Sequence, residues 1–105
     1  MGVDRTDYLM WGARVPVADV RRQYAALEPE MCGGKDRRFD LVYDGMSGEY
    51  AIAGRIVCAS DAYDGIKFRE ITGADLAADP DVIAAVHAVF PHAGPFALLM
   101  FSHYS

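Results

Sequence analysis

The sequence predicts an α+β fold: a mainly antiparallel sheet of four to five strands with two helices packed on it, in the order βαβββαβ. Three observations carry this expectation. Residues 39–60 alternate in side-chain character around a glycine-bearing turn, which is the pattern of a β-hairpin. Asp79-Pro80-Asp81 has the composition of a helix start. The run FALLMF at 96–101 is apolar without a break, as in a strand covered on both faces.

The first strand is expected at 8–15, YLMWGARV, which is rich in aromatic and aliphatic residues and too short and glycine-interrupted for a helix. Pro16 ends it. Val17, Val20, Tyr24 and Leu27 recur at helical spacing, so 17–27 reads as a helix with Arg21, Arg22 and Gln23 pointing away from its apolar face. Residues 28–38, EPEMCGGKDRR, read as a loop because Pro29 and Gly33-Gly34 interrupt regular structure. In the strand 39–43, Phe39, Leu41 and Tyr43 share one face. DGMSG then turns the chain. The strand 49–60 sets Tyr50, Ile52, Ile56 and Cys58 on one face and Ala51, Ala53, Val57 and Ala59 on the other, with Arg55 interrupting. Alanines let a helix approach closely, whereas the bulkier face fills a wider gap. Gly54 is a candidate bulge.

DAYDG at 61–65 is a second turn, and 66–71 is expected to be a short strand with Ile66, Phe68 and Glu70 on one face. Residues 72–80 read as irregular chain or a single helical turn. The second helix presents Val82, Ile83, Val86, Val89 and Phe90 to the core, and Pro91 stops it. The last strand, 96–103, is expected to lie centrally, with the first strand also internal.

A chain of 105 residues, 52% apolar and 24% charged, reads as one ordered domain spanning 1–105. That length buries a core without disulfides or metal. No stretch reaches the ~18 uncharged apolar residues of a membrane span. Acids precede the first apolar run, which is not the pattern of a signal peptide. A net charge of −5 disfavours a general grip on phosphates, so no direct nucleic-acid binding is expected. Cys32 and Cys58 are too few for a disulfide scaffold and read as reduced thiols, Cys58 in the core and Cys32 exposed without a positioned base.

No motif states an activity, and no catalytic residue, metal or cofactor is expected. His87, His92 and His103 are scattered, and neither cysteine stands at a zinc spacing from them. Ser47 sits in GMSGE, where a nucleophile elbow needs glycine in place of Glu49. Ser102 and His103 are neighbours on a strand and face opposite sides. Gly33-Gly34-Lys35 lacks the spacing of a phosphate loop. The alternative it leaves open is a small enzyme or nucleotide-binding protein that holds an anion with the 28–38 loop and Arg21, Arg22, Arg37 or Arg38.

Charge is unevenly spread. Residues 1–40 hold seven bases and seven acids, whereas 41–105 hold three bases and eight acids. An acidic flank of this kind suits a basic partner surface; the competing reading is a solubilising face. The candidate partner-binding residues are Asp61, Tyr63 and Asp64 of the second turn with Glu70, Asp75 and Asp81, while Asp79 is set aside as a helix cap. Ala84 and Ala88 make the outer side of the second helix small and nearly apolar. Either the chain itself buries that side or it is a self-association contact, which predicts a homodimer.

The stretches DRTDYLMWG, RFDLVYDGMSGEY and FSHYS, with the helix DVIAAVHAVFP, resemble a family of short accessory proteins of tailed bacteriophages and prophages. That family supplies no catalytic residue to carry over. The resemblance implies a place in the bacterial host cytosol and a host protein as partner. The expected function is non-enzymatic: binding and inhibiting a host factor, with anti-CRISPR or other anti-defence inhibition as the class in view.

Overall fold

The chain forms β1 (Arg5–Arg14), α1 (Val17–Arg22), α2 (Tyr24–Met31), β2 (Asp40–Tyr43), β3 (Ala51–Ala59), α3 (Gly73–Leu76), α4 (Pro80–Val89) and β4 (Ala97–Tyr104). This is a computed structural model, and it describes residues 4–31, 37–60, 63, 65, 66 and 68–104. The expected α+β class holds. The sheet has four strands in the order β2-β3-β1-β4, each antiparallel to its neighbour. β1 and β2 therefore run the same way with β3 between them, and β3 and β4 run the same way with β1 between them. Helices join each pair, so the domain is two interlocked split βαβ units. Among the described residues, no helix is long and apolar enough to cross a membrane.

The helices share one face of the sheet. Val20 of α1, Leu27 of α2, and Val86 and Phe90 of α4 pack with Val15, Phe39, Leu41, Ala51 and Ala53 in one buried cluster. The alanine face of β3 is thus the one the helices approach, as its small side chains allow. Phe39 and Phe90 meet edge to face at 6.2 Å. Burying each of the larger side chains stabilises the fold by about 1.5–3 kcal/mol. α4 starts as the sequence indicates: Asp79 accepts hydrogen bonds from the N–H groups of Asp81 (3.1 Å) and Val82 (3.3 Å), with Pro80 at the first helical position.

The opposite face carries no helix and is concave. Met10, Val42 and Ile52 are buried there, with Tyr8, Tyr50, Ile56, Leu99 and Phe101 packed against them. Gly12 and Gly54 stand opposite each other on the central strands. A Cβ on Gly54 would collide with the Trp11 carbonyl and the Gly12 Cα, so the strands cross closer than side chains permit. The coil carries the end of β4 over the β2–β3 turn, where Tyr50 and His103 touch.

Several expectations need correction. The last strand is at an edge, not the centre: Leu98 is 44% exposed and Met100 83% exposed. Its run is apolar on both sides because one side feeds the concave cluster while the other extends past the helix layer. The helix expected at 17–27 is two helices that break at Gln23, whose φ of −107° and ψ of 18° leave helical geometry. The second continues through Pro29 to Met31, held by buried Leu27 and by Glu30, which pairs with Arg38 at 3.0 Å. The loop expected at 28–38 therefore begins later, and 32–36, with Cys32 and the glycine pair, lie outside the described residues. The register shift lies between Leu9 and Met10, not at Gly54. The described residues of 66–71 form no strand; Ile66 and Phe68 point into water instead. Cys58 is half-buried, not fully in the core.

Candidate functional site

Two regions carry unusual side chains. The first is the connection from β3 to α4, which contains the expected partner-binding residues. Asp61 and Asp64 lie outside the described residues. Tyr63 is 90% exposed, and Glu70 and Asp81 are also exposed. Asp75 has a different job. Its carboxylate accepts the N–H (3.0 Å) and hydroxyl (3.1 Å) of Thr72, and the Thr72 hydroxyl accepts the Asp75 N–H, which makes a capping box for α3. Those bonds, the backbone one first, hold the Asp75 carboxyl below the ordinary carboxylate value. Arg55 then pins α3 to the sheet by donating to the carbonyls of Asp75 (2.9 Å) and Ala77 (3.1 Å). This explains the charge that interrupts the alanine face.

The same connection holds large apolar side chains, and Ile66, Phe68 and Ile71 among them fall in the strand expected at 66–71. Phe68 is 93% exposed and Ile66 58% exposed, with Ile71 and Leu76 also in water. Their alternation with Lys67, Arg69 and Glu70 is what a half-buried strand gives as well, so the sequence offers no signal that separates the two cases.

The second region is the concave face. Tyr8, Tyr50, Phe101 and His103 form a ring cluster with centroids 5.6–6.2 Å apart. Burial pushes the His103 imidazole below its ordinary pKa, with Asp44 opposing the shift. The Tyr50 hydroxyl and Nδ1 of His103 share a hydrogen bond over 2.7 Å. Asp44 is itself buried. It accepts the N–H groups of Ser47 (3.0 Å), Glu49 (3.1 Å) and Met46 (3.2 Å), which lowers its pKa and fixes the β2–β3 turn. Ser47 is thereby a turn residue. Ser102 faces away from His103, as expected, and donates to Asp7 at 2.5 Å.

The arginines of the anion-binding alternative are engaged within the chain. Arg21 donates to the Tyr43 hydroxyl (2.9 Å), Arg22 pairs with Asp19 (3.0 Å), Arg37 with Asp40 (2.9 Å) and Arg38 with Glu30 (3.0 Å). Among the described residues, no group of three His, Cys, Asp or Glu side chains is placed to hold a metal ion. On α4, Ala84 and Ala88 are exposed beside His87. Of the two readings of that side, burial by the chain itself is excluded.

No protein-family model matches this chain, and neither a curated protein nor a solved structure matches it.

Proposed function

We propose that this protein is a non-enzymatic binding module that acts by occupying a surface of another protein. The observation that carries the reading is Phe68, a large aromatic side chain held 93% in water, in a connection that also exposes Tyr63, Ile66 and Glu70, with Asp81 exposed at the start of α4. Exposed apolar area costs about 25 cal/mol per Å² until it is covered. Aromatic anchors are the side chains that dominate binding energy when a partner covers them. The exposed acids Glu70 and Asp81 favour a basic partner and speed its approach. On the resemblance to phage accessory proteins, the partner is a host protein in the bacterial cytosol, and the outcome is inhibition, with a defence system such as CRISPR as the class of target.

The test uses a lysate of the bacterium whose phage or prophage carries the gene, with and without nuclease. The tagged protein should retain one protein stoichiometrically, reconstituted afterwards from the two purified components. Phe68→Asp should lose it while keeping the parent melting temperature. Equal retention by Phe68→Asp would remove this surface from the function. Turnover of a small molecule by the purified chain would replace the reading with an enzymatic one.

A further inference from the structure

We propose that the open edge of β4 pairs antiparallel with β4 of a second copy, which continues the sheet across a twofold axis at Met100. β4 is an edge strand of eight residues, ALLMFSHY, without a charged side chain or a proline. Edge strands normally carry one of these, or are short or covered, because their unpaired N–H and C=O groups template another strand. The other edge shows the contrast. β2 has four residues, and at its first residue Asp40 accepts the Ile56 N–H of β3 at 2.9 Å, itself held by Arg37.

Charge selects a second copy as the occupant. With a net charge of −5, two molecules repel least where neither carries charge. β4 is such a place, and the outward side of α4, Ala84, His87 and Ala88, adjoins it: His87 lies against Phe96, just before β4, at 5.9 Å. An edge of eight residues is roughly 26 Å long.

Symmetry limits the register to those with one residue on the axis, and exposure selects Met100. A twofold normal to the sheet keeps each face continuous, so opposed residues must point to the same side. With Met100 on the axis, Met100 meets its own copy, Leu98 lies opposite Ser102, and Leu99 lies opposite Phe101. Met100, at 83% the most exposed side chain named in the strand, is then covered.

The experiment measures the mass of the purified chain by sedimentation equilibrium. The parent should be a dimer, and Met100→Lys, which sets two like charges on the axis, should be a folded monomer with an unchanged circular dichroism spectrum. Met100→Cys, in a chain carrying Cys32→Ser and Cys58→Ala, should link to its own copy under oxidised glutathione, since opposed Cα atoms in an antiparallel pair stand ~4.5–5.5 Å apart. A strictly monomeric parent overturns the proposal. So does a dimer that Ala88→Arg breaks and Met100→Lys does not, because the helix side alone would then form the contact. A monomer whose β4 amides become protected only when another protein binds would assign the edge to that protein instead. The Phe68→Asp capture experiment reads a different surface, so either proposal can fail while the other stands.

Discussion

The hydroxyl of Tyr50 lies 2.7 Å from Nδ1 of His103, across 53 residues of sequence. Tyr50 precedes β3, beside the far end of β1, whereas His103 pairs with Thr6 near the start of β1. Only a strongly coiled sheet brings these corners together over its concave face. The contact therefore reports the coil, and it supplies a titratable reporter of it.

His103 gives a pH dependence with a definite sign. Its folded pKa lies below the unfolded value of ~6.5, so the unfolded chain takes up the proton first. The stabilisation is complete above that value and is lost as the pH falls from it towards the folded pKa. Thermal melts should show a decline on acidification below about pH 6.5, and His103→Phe should flatten it. A parent melting temperature that stays constant through this window would contradict the assignment. The depressed carboxyls of Asp7, Asp44 and Asp75 act in a separate range, below the carboxylate value of ~3.8, where protonation removes their hydrogen bonds.

Gly54→Ala should destabilise by about 1–3 kcal/mol or more, because the added methyl meets backbone on the neighbouring strand. Gly73→Ala is the control. It opens onto free space in α3 and should be neutral or slightly stabilising. Equal denaturation midpoints for the two variants would mean that the central strands separate freely.

Phe90→Ala should cost about 3–5 kcal/mol, as a wholly buried aromatic does. Leu98→Ala, on the open edge strand, should cost about 1 kcal/mol or less, measured where the protein is monomeric. A Leu98 penalty as large as that of Phe90 would place β4 inside the sheet after all.

The acids divide into two groups. Asp79→Ala should cost about 1 kcal/mol through loss of the α4 cap, and Asp75→Lys should release α3. Glu70→Lys with Asp81→Lys should lower stability by only about 1 kcal/mol, through Asp81 in the first turn of α4, while slowing partner association and weakening its salt dependence. If the double reversal binds at the parental rate, those charges serve solubility alone.

How far the fold could be read from sequence follows from which signals are local. The β2–β3 hairpin and the α4 start are fixed by side-chain alternation and by Asp79-Pro80, both confined to a few residues. The helix-bearing face followed from Ala51 and Ala53. β4 misled because continuous apolarity reports burial without saying by what: Leu99 and Phe101 are covered by the curvature of the sheet, whereas Leu98 is only partly covered by this chain and Met100 hardly at all. Pro29 misled because one lost hydrogen bond does not end a helix anchored by Leu27 and Glu30. Of the candidate site, the exposed acids Glu70 and Asp81 were visible in the sequence, but the capping duty of Asp75 depends on Thr72. The exposure of Phe68 depends on the absence of a neighbouring strand, which no local pattern records.

The strand order also dictates when this domain can fold. β1 leaves the ribosome first and sits between β3 and β4, so neither of its partners exists when it emerges. Its outermost pairing, Arg5 with Tyr104, spans nearly the whole described chain. Contacts this distant in sequence close slowly. Until β4 arrives, the aromatic YLMWG segment has one side of its backbone ladder open, which exposes the nascent chain to misassembly. A chain shortened before β4 would keep both helix pairs and the hairpin, yet β1 would stand at an unprotected margin.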